Sequence, residues 1–93
     1  MFTNIIASHF LSKSNEKIIL AAHYDTKIFN FRFLGATDSA LSCSMLIEFS
    51  RLINDNMMNG NWSNSKYDFQ IVIFDGEEAF KSWTSTDSLY GSR

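Results

Sequence analysis

The sequence contains no proline, a single cysteine and no excess of basic residues. Two of these shortages exclude something. One cysteine cannot close a disulfide within its own chain, so a disulfide-stapled miniprotein is ruled out. Eight basic residues against ten acidic ones leave a net charge of −2. That sign repels phosphate, so nucleic acid is not expected as a partner. Long apolar runs are also missing. Stretches such as Ile18–Ala22 and Ile71–Phe74 fall far short of the roughly 20 residues a membrane-spanning helix needs. The opening Met-Phe-Thr-Asn-Ile-Ile-Ala-Ser has no basic start and no long apolar stretch, so it does not read as a signal peptide. No membrane contact is expected from this segment. The absence of proline decides nothing alone.

What is present can build a core. The 93 residues are 45% apolar and include nine Phe, three Tyr and two Trp, which excludes collagen-like and disordered classes. One small domain is the ceiling, since domains commonly run to about 100–150 residues.

Asn4–Ser8 reads as a short strand and Ser12–Asn15 as a turn. Lys17–Tyr24 reads as a second strand, and its unbroken run Ile18–Ala22 predicts burial on both faces. Phe29, Phe31 and Phe33 alternate with polar residues, but their place between stronger elements predicts a loop. Thr37 or Asp38 is placed to cap a following helix, along which Leu41, Met45, Phe49, Leu52 and Ile53 recur at helical spacing. Asn54–Lys66 reads as a polar loop with Gly60 as a stop. Asp68–Phe74 is a third strand, broken by Asp75-Gly76, and Glu77–Phe80 begins another turn or helix. Asn61-Trp62-Ser63 is an N-glycosylation sequon, of consequence only in a secretory setting. This order of elements is that of an α/β layered protein. One long helix and one short one cannot cover both faces of such a sheet, so the chain is expected to be a piece of something larger.

Strands of open α/β sheets deliver functional residues at their carboxyl ends. Three polar clusters occupy such places: His23-Tyr24-Asp25, Asp38, and Asp75-Gly76-Glu77-Glu78. Imidazole and carboxylates converging from separate strand ends suit a divalent metal such as zinc. Each also has a plainer reading. Taken alone, His23 reads first as a satisfied core histidine, Asp38 as a helix cap, the glutamates as a solvated first turn, and Cys43 as a small buried hydrophobe.

His23-Tyr24-Asp25-Thr26-Lys27, Gly35-Ala36-Thr37-Asp38-Ser39-Ala40, Phe74-Asp75-Gly76-Glu77-Glu78-Ala79-Phe80, Trp83 and Asp87-Ser88-Leu89-Tyr90-Gly91-Ser92-Arg93 together resemble the glutaminyl-peptide cyclotransferases. These are the zinc-dependent glutaminyl cyclases of the M28 metallopeptidase-like superfamily. The blocks fall in family order from Asn4 to Arg93. The resemblance implies a three-layer α/β/α fold around a mixed, largely parallel sheet, with about a third of that domain in residues 1–93. It implies one zinc per complete domain, with Asp38 and Glu78 as ligands, Glu77 as catalytic acid/base and Trp83 lining the substrate pocket. The implied substrates are peptides or proteins with N-terminal Gln, or Glu, and the product is pyroglutamate. A monomer is expected, secreted or held in the Golgi. His23 and Asp25 match the family's HxD element. That histidine is a ligand in the two-metal aminopeptidases but sits beside the zinc in the cyclases, so it is left out of the metal set.

The chain also departs from the family. The third zinc ligand is a histidine far downstream, and the chain stops before it. His9 is the only other histidine and a poor substitute. Secreted animal members pair cysteines at the places of Ala22 and Cys43, so Cys43 is expected to be unpaired here. The chain alone is expected to be inactive. The alternatives are an M28 aminopeptidase fragment, or a non-catalytic remnant that binds a partner at most.

Overall fold

A computed structural model describes residues 1–9 and 15–93. Residues 12–14 of the expected turn lie outside the described residues. Three strands and one long helix are formed: β1 (Ile5–His9), β2 (Lys17–His23), α1 (Leu41–Met58) and β3 (Asp68–Phe74). The strand order is β1-β3-β2. β1 runs antiparallel to β3, with Ala7 opposite Ile71. β2 runs parallel to β3, with Leu20 opposite Ile71 and His23 opposite Phe74. A parallel pair needs a long crossover, and α1 lies in it. The sheet is mixed, as expected.

β3 is central because its apolar run has a strand on either side. Ile71 and Val72 are both buried. α1 lies over the face carrying Ala7, Ile71 and Ile73, which line a groove with Leu46, Ile47 and Ser50. Ile53 is the one large side chain among the described residues that is completely buried. The opposite face, carrying Ile6 and Ile19, stays 62% and 56% exposed at those residues. The radius of gyration is 16.0 Å, against about 12 Å for a compact domain of this length. The cover of the sheet is therefore incomplete.

Several local expectations are corrected. β2 is not buried on both faces. Among the described residues it pairs with β3 alone, and Ile18 and Ile19 remain exposed. A continuous apolar run reports what a strand could bury, not what lies beside it. The helix stripe is likewise only partly covered, with Leu41, Met45 and Leu52 exposed.

Neither Thr37 nor Asp38 caps a helix. Gly35, at φ 58°, opens a π-type turn over Ala36–Ala40, and no side chain caps either that turn or α1. Asp38 itself has non-helical angles, φ −127° and ψ 82°, which free its carboxylate to reach elsewhere. Gly35 is needed twice over. Its φ is left-handed, and a Cβ there would lie 2.2 Å from Cγ2 of Thr26.

α1 also outlasts the expected start of the loop at Asn54. Asn56 donates its side-chain amide to the Leu52 carbonyl at 2.8 Å, a bond within the helix that keeps this polar residue in place. The end comes at Gly60, φ 74°, whose amide turns back to the Met57 carbonyl. Residues 77–80 form bends, not a second helix. Phe29, Phe31 and Phe33 lie in irregular chain as expected, their rings packed at 4.9 and 5.0 Å around Phe29.

The burial pattern sets a test of packing. Ile53→Ala should cost about 2–5 kcal/mol, whereas Met58→Ala, at a side chain 80% exposed, should change stability by less than about 0.5 kcal/mol. Urea unfolding of the two variants against the parent measures the contrast.

Candidate metal centre

Because β2 and β3 are parallel, their carboxyl ends meet at one edge of the sheet. Pairing continues one step beyond them, where the Tyr24 amide donates to the Phe74 carbonyl at 2.8 Å. The chain after β3 then turns at Asp75-Gly76. Gly76 has φ 60°, and a Cβ on it would lie 2.4 Å from the Phe2 ring. From this turn Glu77 and Glu78 emerge.

Their backbone is fixed by a carboxylate from the other strand end. Glu77 and Glu78 donate their amides to the two oxygens of Asp25, at 3.0 and 2.9 Å. One carboxylate thus holds two successive donors of a loop that has no ladder of its own. Lys27 adds a second tie, donating to the Ala79 carbonyl at 3.0 Å.

His23 is the hub. Its Nδ1 lies 3.0 Å from the Asp25 carbonyl oxygen. Its Nε2 lies 3.0 Å from Oδ1 of Asp38 and 3.9 Å from Oε2 of Glu77. A carbonyl only accepts, so Nδ1 carries a proton. Nε2 then faces two carboxylates, which also only accept. It must either carry a second proton or turn its lone pair to a cation. Burial lowers the affinity of His23 for that proton, but its bonds to the Asp25 carbonyl and Asp38, with the charges of Glu77 and Asp25, outweigh burial and raise its pKa above the ordinary value. Glu77 is also raised, chiefly by burial. The His23 charge opposes this, and the like charges of Glu78, Asp25 and Asp38 reinforce it.

His23, Glu77 and Glu78 each offer a ligand atom, and these atoms all lie within 4.8 Å of one another. One imidazole nitrogen and two carboxylate oxygens are a donor set that fits a divalent cation such as zinc. Asp38 lies at the rim, 63% exposed at its side chain and bound to the trio through His23. Sequence reasoning left His23 out of the metal set, yet the structure brings it together with Glu77 and Glu78. Asp25 as an amide clamp was not foreseen either. Its only signal was its position two residues after His23. Trp83 projects 56% exposed from the following bend. It is not among the residues lining the cavity of about 240 Å³ beside Glu78, which include Asp25, Phe2 and Phe80.

Residues 4–93 match Peptidase family M28. The chain belongs to that family. Among curated M28 relatives, it is 49% identical over 83 residues to the glutaminyl-peptide cyclotransferase of Dictyostelium discoideum, covering 88% of this chain and 22% of that protein. It is 42% identical over 99 residues to that of Bos taurus, covering 99% of this chain and 27% of that protein. The crystal structure of Macrostomum lignano glutaminyl cyclase matches with a TM-score of 0.77 and 40% identity, over 97% of this chain and 25% of that one. The resemblance read from the motifs therefore holds, as does the α/β fold. The chain spans about a quarter of the length of these M28 relatives.

Two remaining residues are placed by the fold. His9 ends β1 opposite Phe69, near the start of β3 and so at the far end from the candidate centre. Cys43 is a free thiol that donates to the His23 carbonyl at 3.1 Å, and burial pushes its pKa up. Among the described residues, no helix is long and apolar enough to cross a membrane.

The clamp can be tested directly. Asp25→Ala should release the Glu77 and Glu78 amides and weaken binding of a divalent cation by about 10–100-fold, the usual penalty for losing a residue that orients ligands. Calorimetric titration with zinc against the parent measures it.

Proposed function

We propose that this chain is part of a zinc-dependent glutaminyl-peptide cyclotransferase domain, which converts the N-terminal glutamine of peptides to pyroglutamate with release of ammonia. The observation that carries the reading is that Glu77 and Glu78 stand together at the paired strand ends, with Asp38 held beside them by His23, in a chain 49% and 42% identical to proteins of that name. Residues 1–93 would be one segment of the domain, with further zinc ligands contributed from outside them. The substrate would be a peptide or protein, and the whole protein a secretory or Golgi monomer.

In this reading Asp38 and Glu78 would hold zinc with an imidazole from elsewhere in the domain, and His23 would brace Asp38. Bound zinc would supply Lewis acidity at the γ-carboxamide oxygen of the substrate glutamine. Glu77 performs the proton transfer. It takes a proton from the α-amine as that nitrogen bonds to the amide carbon. It then delivers the proton to the departing amide nitrogen, which leaves as ammonia when its bond to carbon breaks. No water is consumed. The raised proton affinity of Glu77 brings it closer to the neutral range in which a group can both take and give a proton. Trp83 would line the substrate pocket once the rest of the domain is in place.

An aminopeptidase reading shares the family and draws on one observation, the presence of His23 inside the ligand trio. The products separate the two. A complete domain containing this segment should release ammonia and a pyroglutamyl peptide from a Gln-peptide. Free amino acid would sink the cyclase reading. Glu77→Gln should lower kcat by about 10²–10⁴-fold while zinc stays bound, and Glu78→Ala should lose the zinc. The 93-residue chain alone should show no turnover.

A further inference from the structure

The bend that follows the glutamates is held by a second carboxylate, one that takes no part in the metal cluster. Asp87 Oδ1 accepts the Phe80 amide at 2.8 Å and the Tyr90 hydroxyl at 2.5 Å. Its Oδ2 accepts the amides of Lys81 and Ser82 at 2.9 and 2.8 Å. Four donors therefore converge on one side chain. Asp87 is itself steered by Thr84, whose Oγ1 accepts the Asp87 amide at 2.9 Å. Through these bonds the Tyr90 ring is set 5.0 Å from Phe80 and 5.5 Å from Phe2. Phe2 and Phe80 line the cavity of about 240 Å³ that Asp25 and Glu78 also line. The carboxylate thus supports aromatic side chains that line the same cavity as Glu78.

We propose that Asp87 is a positioning residue for peptide binding, which sets the Phe2 and Phe80 wall of the cavity beside Glu78 through the Tyr90 hydroxyl, whose ring packs on both, and through the amides of residues 80–82. This rests on the cyclase reading for the identity of the peptide, but the wall and its support stand on geometry. Two clamps divide the work. Asp25 holds residues 77 and 78, which carry the side chains of the candidate centre, and Asp87 holds residues 80–82, which begin with the wall's Phe80. The four donors also show in the carboxyl itself. The Tyr90 bond first, then the amides, hold it well below the ordinary value of 3.8. A lowered folded value means that the clamp stabilises the fold at and above the ordinary value. It lets go only as pH falls through the lower one. The amide proton shifts of residues 80–82 should therefore hold steady through pH 3.8 and move at more acid pH, as read by NMR titration.

The functional test uses Asp87→Asn and Tyr90→Phe in the complete domain. Asn offers one acceptor oxygen and turns an NH2 toward donors, so it cannot hold all four. Phe removes one hydroxyl and keeps the ring. Three quantities are read: zinc affinity, KM and kcat for a Gln-peptide, and the Kd of a peptide lacking the reactive amide. Expected for Asp87→Asn is a rise of about tenfold in KM and Kd with kcat within about twofold. Zinc affinity should be unchanged, and Tyr90→Phe should show a smaller rise. KM and Kd at parental values in Asp87→Asn would overturn the proposal. So would a joint fall of zinc affinity and peptide binding in both variants, since that is the mark of a purely structural bend. A parent that binds the peptide without cyclising it, and loses that binding in Asp87→Asn, would overturn the cyclase reading and keep the positioning role.

Discussion

The bond from the Asp25 carboxylate to the amides of Glu77 and Glu78 is the constraint on which the candidate centre depends. A loop that leaves a strand loses its ladder partners, and buried amides without acceptors cost free energy. Asp25 removes that cost and sets the direction of two side chains at once. Its charge still acts on the centre, and with Glu77 and the bonded Asp38 it raises the proton affinity of His23. The same device recurs two residues on, where Asp87 collects the amides of residues 80–82. From Glu77 to Ser82 the chain has no regular structure, yet it is fixed by two carboxylates from outside it.

Much of this was legible in the sequence, for identifiable reasons. His23 and Glu77-Glu78 could be expected to meet because parallel neighbours share their carboxyl ends, and the apolar runs of β2 and β3 mark those strands. Asp38 could be seen as ligand or cap but not decided. The same residue types favour both, and only the backbone at φ −127° shows that its carboxylate turns away from the helix. The partners of Asp25 and Asp87 were not legible at all. Periodicity records which side chains share a face, whereas an amide clamp is made by a side chain and the backbone of residues far along the chain. The exposure of Ile18 and Ile19 was hidden for a related reason. A strand's burial is set by its neighbours, and among the described residues β2 has one strand beside it.

The protonation of His23 carries the metal argument a step further. Its Nδ1 proton is committed to the Asp25 carbonyl. Its Nε2 faces Asp38 at 3.0 Å and Glu77 at 3.9 Å, with Glu78 completing the ring of acceptors. Acceptors facing acceptors are stable only around positive charge. A proton on Nε2 meets that need in part, and a divalent cation meets it more fully. Proton and cation are therefore alternatives for one electrostatic vacancy, which is why the same side chains read both as a histidine ion-pair network and as a metal centre.

That vacancy does not by itself choose between cyclisation and hydrolysis. Both need a polarised carbonyl and a carboxylate to carry a proton, and the two reactions differ in the attacking atom. Hydrolysis requires a water at the carbonyl, while cyclisation requires the substrate's own amine to be there first. A surface that crowds the carbonyl with apolar groups favours the tethered nucleophile, whose effective concentration does not depend on solvent. On the proposed reading, the aromatic wall of Phe2 and Phe80 beside Glu78, backed by the Tyr90 ring, is such a surface. The cation and Glu77 would then supply the chemistry, and the wall braced by Asp87 would help decide which nitrogen or oxygen receives it.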